Sequence, residues 1–249
     1  MDTIPLFKSH YSLGKSILTL NKRSSEPSTG PDSIIDICVD NKLKELYLVD
    51  DNMSGFLEAY ENCRENKIKF IFGLRINVCP DLNQKDDESI QGTSKLILFA
   101  KKKEGYKKLI KLYTKASIEG FYYTPRLDYP SIKQLYSPED IVVGVPFYDS
   151  FIHENTLNCK SCVPDLSFCN PVFMIEENDL PFNYLIENAI KNYAKPEDEL
   201  LKVKSVFYKN KEDFKSYLSF RCINSRSSLD KPNLEHMSSN EFCWEALPE

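Results

Sequence analysis

Short apolar runs alternate with segments of helical period along most of this chain, and that alternation restricts the fold more than any other feature. Residues 46–49, Leu-Tyr-Leu-Val, form an apolar run bounded by acidic residues and predict a buried strand. Residues 55–66 follow with Phe56, Leu57, Tyr60 and Cys63 at helical spacing. Further strands are predicted at 69–78, 95–100, 141–144, 172–175 and 202–208. Helices are predicted at 103–119 (Tyr106, Leu109, Ile110, Tyr113 and Ile118 inward), at 181–193 (Leu185, Ile186 and Ile190 inward) and at 212–224. The polar stretch 80–92 reads as a surface loop, 24–31 as another loop, and 225–240 as irregular. Alternation of this kind predicts an α/β fold with a largely parallel sheet. Periodicity alone leaves a closed barrel and an open doubly wound sheet both possible.

Composition narrows the function classes. The chain has 249 residues and a formal net charge of −5, so a protein that grips a phosphate backbone directly is disfavoured. The lysines at 101–103 and 107–108 are expected to form a solvated helix face. The first residues lack a basic, apolar leader pattern and no apolar stretch is long enough to span a bilayer, so a cytoplasmic protein without membrane contact is expected. The eight cysteines are then expected as free thiols. His153, Cys159, Cys162 and Cys169 are spaced loosely enough that a zinc knuckle is the weaker alternative. The aromatic run Phe121-Tyr122-Tyr123 is expected to pack in the core or a loop rather than to stack on bases. Glycine-rich nucleotide loops and a nucleophile elbow are absent from the sequence.

Five stretches carry a resemblance. They are Leu6-Phe7-Lys8-Ser9-His10-Tyr11-Ser12-Leu13; Leu48-Val49-Asp50-Asp51-Asn52-Met53-Ser54-Gly55; Ile68-Lys69-Phe70-Ile71-Phe72-Gly73-Leu74-Arg75; a block running from Leu98-Phe99-Ala100 through Glu104-Gly105-Tyr106 to Glu119-Gly120-Phe121-Tyr122-Tyr123-Thr124-Pro125-Arg126-Leu127-Asp128; and 213–223 followed by 235–242. In this order they resemble the PHP domain of the bacterial DNA polymerase III alpha subunit. The resemblance implies a PHP-type distorted (β/α)7 barrel in a single domain over 1–249. The barrel would cover about 4–224, and an extension over about 225–249 would lead towards a polymerase core.

Active members of that family are metal-dependent phosphoesterases with histidines and carboxylates at strand ends, where divalent ions activate water. Residue by residue, the family's His-x-His falls on Leu6 and Lys8, its Asp-His on Asp50 and Asp51, its Glu on Arg75, and its late Asp-x-His on Ser205 and Phe207. Leucine and phenylalanine cannot ligate, and ammonium and guanidinium groups repel a cation. The chain has only three histidines, His10, His153 and His236, and His10 falls two residues beyond the ligand position. The resemblance therefore implies a vestigial site with no catalytic residue, no metal and no cofactor, in which Lys8 and Arg75 neutralise Asp50 and Asp51. It further implies DNA replication as the setting, a polymerase core or proofreading exonuclease subunit as partner, and only indirect contact with DNA. The family is one of DNA-directed DNA polymerases, but palm carboxylates for nucleotidyl transfer are not recognisable in this chain. The alternatives are an active PHP phosphoesterase or 3′–5′ exonuclease, and an interaction module that targets a replisome.

Overall fold

The computed structural model describes residues 3–22, 30–230 and 239–248. In chain order the elements are β1 (Ile4–Phe7), α1 (Ile34–Asp40), β2 (Glu45–Asp50), α2 (Phe56–Glu65), β3 (Lys69–Cys79), α3 (Asp87–Gln91), β4 (Ser94–Ala100), α4 (Lys103–Ile118), β5 (Arg126–Asp128), α5 (Tyr129–Leu135), β6 (Ile141–Val145), α6 (Phe151–Leu157), β7 (Val172–Ile175), α7 (Asn183–Tyr193), β8 (Glu199–Val206) and α8 (Phe214–Ser225). Local chemistry starts several helices. The side chains of Ser33, Asp128 and Ser150 accept hydrogen bonds from the first-turn amides of α1, α5 and α6. Asp86 and Ser89 form a reciprocal capping box at α3, which lies inside the stretch expected to be a plain loop.

The chain divides into two compact units. The first comprises residues 1–72, 176–180 and 202–249. Here β1 lies between β2 and β8 and runs parallel to both, with Leu6 in register with Tyr47 on one side and Ser205 on the other. Its core includes Phe7, Leu18, Leu20, Ile34, Leu46 and Leu48, all fully buried. The C-terminal residues join that core. Phe242 stacks on Phe207, Trp244 stacks on Phe7, and Glu241 accepts from Lys204 and Lys211. His236, with the rest of 231–238, lies outside the described residues, as do residues 23–29, which hold most of the loop predicted over 24–31.

The second unit comprises residues 73–175 and 181–201. Its strands pair in the order β7-β6-β4-β3-β5. β6–β7 and β3–β5 are parallel as expected, but β4 is antiparallel to both β3 and β6. The cause is the connection. β3 and β4 are joined by the short stretch carrying α3, which returns the chain beside β3 in the opposite sense without a crossover.

The helix faces also differ from expectation. In α2 the buried residues are Ala59, Asn62 and Cys63, whereas Leu57 and Tyr60 face outward. In α4 the buried row is Gly105, Leu109, Leu112 and Ala116, with Ile110 and Ile118 exposed. Gly105 explains that rotation. A Cβ there would lie 2.1 Å from the Asp140 carbonyl oxygen, so the helix turns its glycine to the closest backbone approach. Leu185 is partly exposed while Ile186 and Ile190 carry the contact of α7.

Candidate functional site

In the first unit the candidate site is built where β1, β2 and β8 end. Asp50, the last residue of β2, is fully buried. Its Oδ1 accepts from the Ser9 amide at 2.9 Å and the Ser12 hydroxyl at 2.8 Å, and its Oδ2 accepts from the Ser9 hydroxyl at 2.6 Å. The Asp51 amide donates back to Ser12 Oγ at 3.0 Å, and Asn52 Nδ2 donates to the Tyr11 carbonyl at 2.7 Å. These bonds strap the turn after β1 onto the end of β2. Burial raises the Asp50 carboxyl above the usual range, opposed by the nearby Lys8 charge and the serine hydrogen bonds.

Lys8 follows β1 directly and is 3% exposed, yet its Nζ lies 3.0 Å from Asp51 Oδ1. A buried ammonium needs such a partner, because desolvating it alone is costly. Ser205 donates its amide and hydroxyl to the two oxygens of Glu176 at 3.1 and 2.8 Å, and Asn178 donates to the same carboxylate at 3.0 Å. Phe207 is held between Phe242 and Tyr217, with ring centroids at 5.6 and 5.9 Å. Leu6 is core. His10 packs its ring against Tyr11. As a donor set these residues do not fit the divalent ions of a PHP centre. Leu6 and Phe207 offer no lone pair, Lys8 brings a positive charge, and Asp50 already accepts three hydrogen bonds.

In the second unit Arg75 departs from expectation. It does not pair with Asp50 or Asp51. Its Nη2 donates to Asp149 Oδ2 at 2.7 Å and to the Tyr148 carbonyl at 3.0 Å. The guanidinium projects from β3 to the loop after β6, where the Asp149 carboxylate accepts from it. Asp149, with a left-handed φ of 61°, gathers with His153 and Glu154 so that one ligand atom of each lies within 4.8 Å of the others. Lys160 Nζ lies 2.8 Å from Glu154, and Asn158 donates to the same carboxylate. Burial pushes the Glu154 carboxyl up, but the neighbouring His153 ring and the contacts from Lys160 and Asn158 outweigh it and bring the group to about 2.

Among the described residues that trio is the one group of three or more potential metal ligands so placed, and it contains no cysteine. His153 therefore shares its cluster with two carboxylates rather than with Cys159, Cys162 and Cys169. Burial pushes the Cys169 thiol up to about 12 and raises that of Cys162, so both resist forming thiolates. The run Phe121-Tyr122-Tyr123 is not core. Phe121 and Tyr123 are 51% and 77% exposed. The lysine face is solvated and paired: Lys102 and Lys108 both reach Asp140, and Lys107 reaches Glu104.

Ser9, Ser12, Glu176 and Asp149 were not singled out from the sequence. Glu176 and Asp149 had a signal, an acidic residue just beyond an apolar strand run; Ser9 and Ser12 had none, since their partner Asp50 is distant in the chain.

The model of the PHP domain family matches residues 23–158, more than half of the chain. The chain belongs to the PHP domain family, and its α/β fold class is that family's. It is similar to the DNA polymerase III subunit alpha of several bacteria. That of Thermus aquaticus is 26% identical over 204 residues, covering 77% of this chain and 16% of the relative. That of Chlamydia trachomatis is 36% identical over 99 residues (39% of this chain, 8% of the relative), and that of Helicobacter pylori 37% over 83 residues (33% and 7%). The chain thus spans at most about one sixth of the length of these relatives. The family match includes Asp50, Asp51, Arg75, Asp149, His153 and Glu154, and excludes Leu6, Lys8, Ser205 and Phe207. No helix among the described residues is long and apolar enough to cross a membrane.

Proposed function

We propose that this chain is a DNA-replication protein in which the PHP domain serves as a structural and interaction module, without metal-dependent chemistry. Its partner is a polymerase core or a proofreading exonuclease subunit, and it meets DNA only through that partner. The observation that carries the reading is Lys8, an ammonium buried to 3% exposure and bonded to Asp51 at 3.0 Å where an active relative would place a histidine. Asp50, beside it, is fully engaged by Ser9 and Ser12. A divalent ion there would have to displace an ammonium and three hydrogen bonds at once.

The test is elemental analysis of the purified protein together with phosphomonoesterase and 3′-exonuclease assays. Substoichiometric manganese, zinc and iron with no chelator-sensitive hydrolysis is expected. Hydrolysis that chelation abolishes and manganese restores would overturn the proposal. A second reading, an active PHP phosphoesterase, is favoured by the Asp149, His153 and Glu154 trio. Arg75 and Lys160 weigh against it, since both already neutralise those carboxylates. Chelator-sensitive activity lost in His153→Ala would select that reading. Binding assays against purified polymerase core, sliding clamp and exonuclease subunit separate a supporting module from one that diverts a replisome. A supporting module binds core or exonuclease without slowing synthesis, and a diverting one slows it.

A further inference from the structure

In the second unit the turn after α4 presents apolar surface where a chain normally hides it. Ile118, Phe121 and Tyr123 fall within six residues and are 73%, 51% and 77% exposed. The turn is built, not loose. Tyr123 at its tip takes a φ of 59°, a conformation unfavourable for a bulky side chain. Tyr122 bridges Thr124 across the tip, its amide donating to the Thr124 carbonyl at 3.2 Å. Gly120 is needed at the base, because a Cβ there would lie 2.0 Å from the Arg126 carbonyl oxygen.

Beneath the turn Arg126, 2% exposed, donates to the Gly120 carbonyl, the Ser89 hydroxyl and the Gln84 carbonyl at 3.2, 3.0 and 3.1 Å, with its guanidinium 5.1 Å from the Tyr122 ring centroid. A fully buried arginine spent on three neutral acceptors fixes both the aromatic turn and the segment 84–89 beside it. Strain held by such a scaffold is characteristic of surfaces that do something.

The charge beside the turn selects the occupant. Residues 81–88 carry four carboxylates, Asp81, Asp86, Asp87 and Glu88, against the single Lys85. Asp86 and Asp87 are close enough to Tyr122 to contribute to raising its hydroxyl, after burial and Tyr123. Exposed aromatic rings stack on nucleic-acid bases, but a carboxylate-rich neighbour repels phosphate. The same rings and carboxylates suit arginine or lysine side chains flanked by apolar ones, through cation–π contact, ion pairing and burial of tyrosine.

We propose that Ile118, Phe121 and Tyr123, held by Arg126 and bordered by the acidic segment 84–89, form a docking surface for a basic, apolar-flanked segment of a protein partner. This surface is independent of whether the PHP site is catalytic.

The test uses the full chain and fluorescence anisotropy with three labelled probes. They are a short peptide alternating arginine and leucine, its glutamate-for-arginine counterpart, and a short single-stranded oligothymidylate. The arginine peptide is expected to bind, and the other two to bind at least about tenfold more weakly. Phe121→Ala with Tyr123→Ala, and separately Asp87→Asn with Glu88→Gln, are each expected to weaken the arginine peptide about tenfold while leaving the thermal midpoint in place. All four side chains are outside the core, so folding should survive. The proposal is overturned if the arginine peptide fails to bind, if it binds the aromatic variant as well as the native chain, or if the oligonucleotide is preferred.

Discussion

Lys8 and Arg75 are both buried cations paired with an aspartate, yet their surroundings differ. Around Lys8 the donors converge on two carboxylates: Ser9 and Ser12 donate to Asp50, and the ammonium meets Asp51. Around Arg75 the pairing is with Asp149, a residue no motif had flagged, and a histidine and a second carboxylate stay within ligand distance of it. The first cluster is bonded within itself. The second is neutralised by two cations, Arg75 and Lys160, but keeps a set of atoms a metal could use.

That contrast can be broken at its strongest point first. Lys8→Met leaves Asp51 without its ammonium and Asp50 without a nearby positive charge, and should cost about 3–5 kcal/mol in urea denaturation. A loss under about 1 kcal/mol would show that the first cluster does not depend on the ion pair. Arg75→Met should cost somewhat less, about 3 kcal/mol. It should also do what Lys8→Met does not, creating measurable zinc or manganese binding by calorimetry, which His153→Ala then removes. Metal uptake by Lys8→Met instead would reverse the comparison. Ser9→Ala removes one donor to a buried carboxylate and should cost about 1–3 kcal/mol, with the fold unchanged by circular dichroism.

The smallest effect concerns acid. Glu154 titrates near 2 in the folded chain and at an ordinary carboxylate value when unfolded. Its stabilising contribution is therefore complete above the unfolded value and is lost as pH falls through about 2. Asp50 has the opposite sign. Its folded value is raised, so its protonation on acidification does not destabilise, and its ionisation on raising the pH opposes folding. Carboxyl NMR titration should show Asp50 protonating above the normal aspartate range and Glu154 well below the glutamate range. Coincident titrations would erase the distinction between the clusters.

Much of the fold was legible because strand and helix periods are local. The runs at 46–49, 95–100, 141–144 and 172–175 all lie in observed strands, and the helix over 103–119 is α4 within a residue. Helix faces were less legible. Leu57 and Ile118 look like core by spacing, but Asn62 and Gly105 occupy the contact because a hydrogen bond to Leu20 and a close backbone approach decide the rotation. At the candidate site the residues Lys8, Asp50, Asp51 and Arg75 could be picked out from the motifs. The partners could not, since Lys8 and Asp51 are 43 residues apart, and Arg75 and Asp149 are 74 apart.

The sequence alone determined the family, the α/β class and the apolar side chains of Leu6 and Phe207, because these depend on residue identity and short-range order. Only the tertiary structure decided that Lys8 serves Asp51, that Arg75 serves Asp149, that β4 runs antiparallel, and that Phe121 and Tyr123 face outward. Each of those outcomes depends on which distant groups arrive within a few ångströms, where electrostatics and steric exclusion act and chain spacing carries no information.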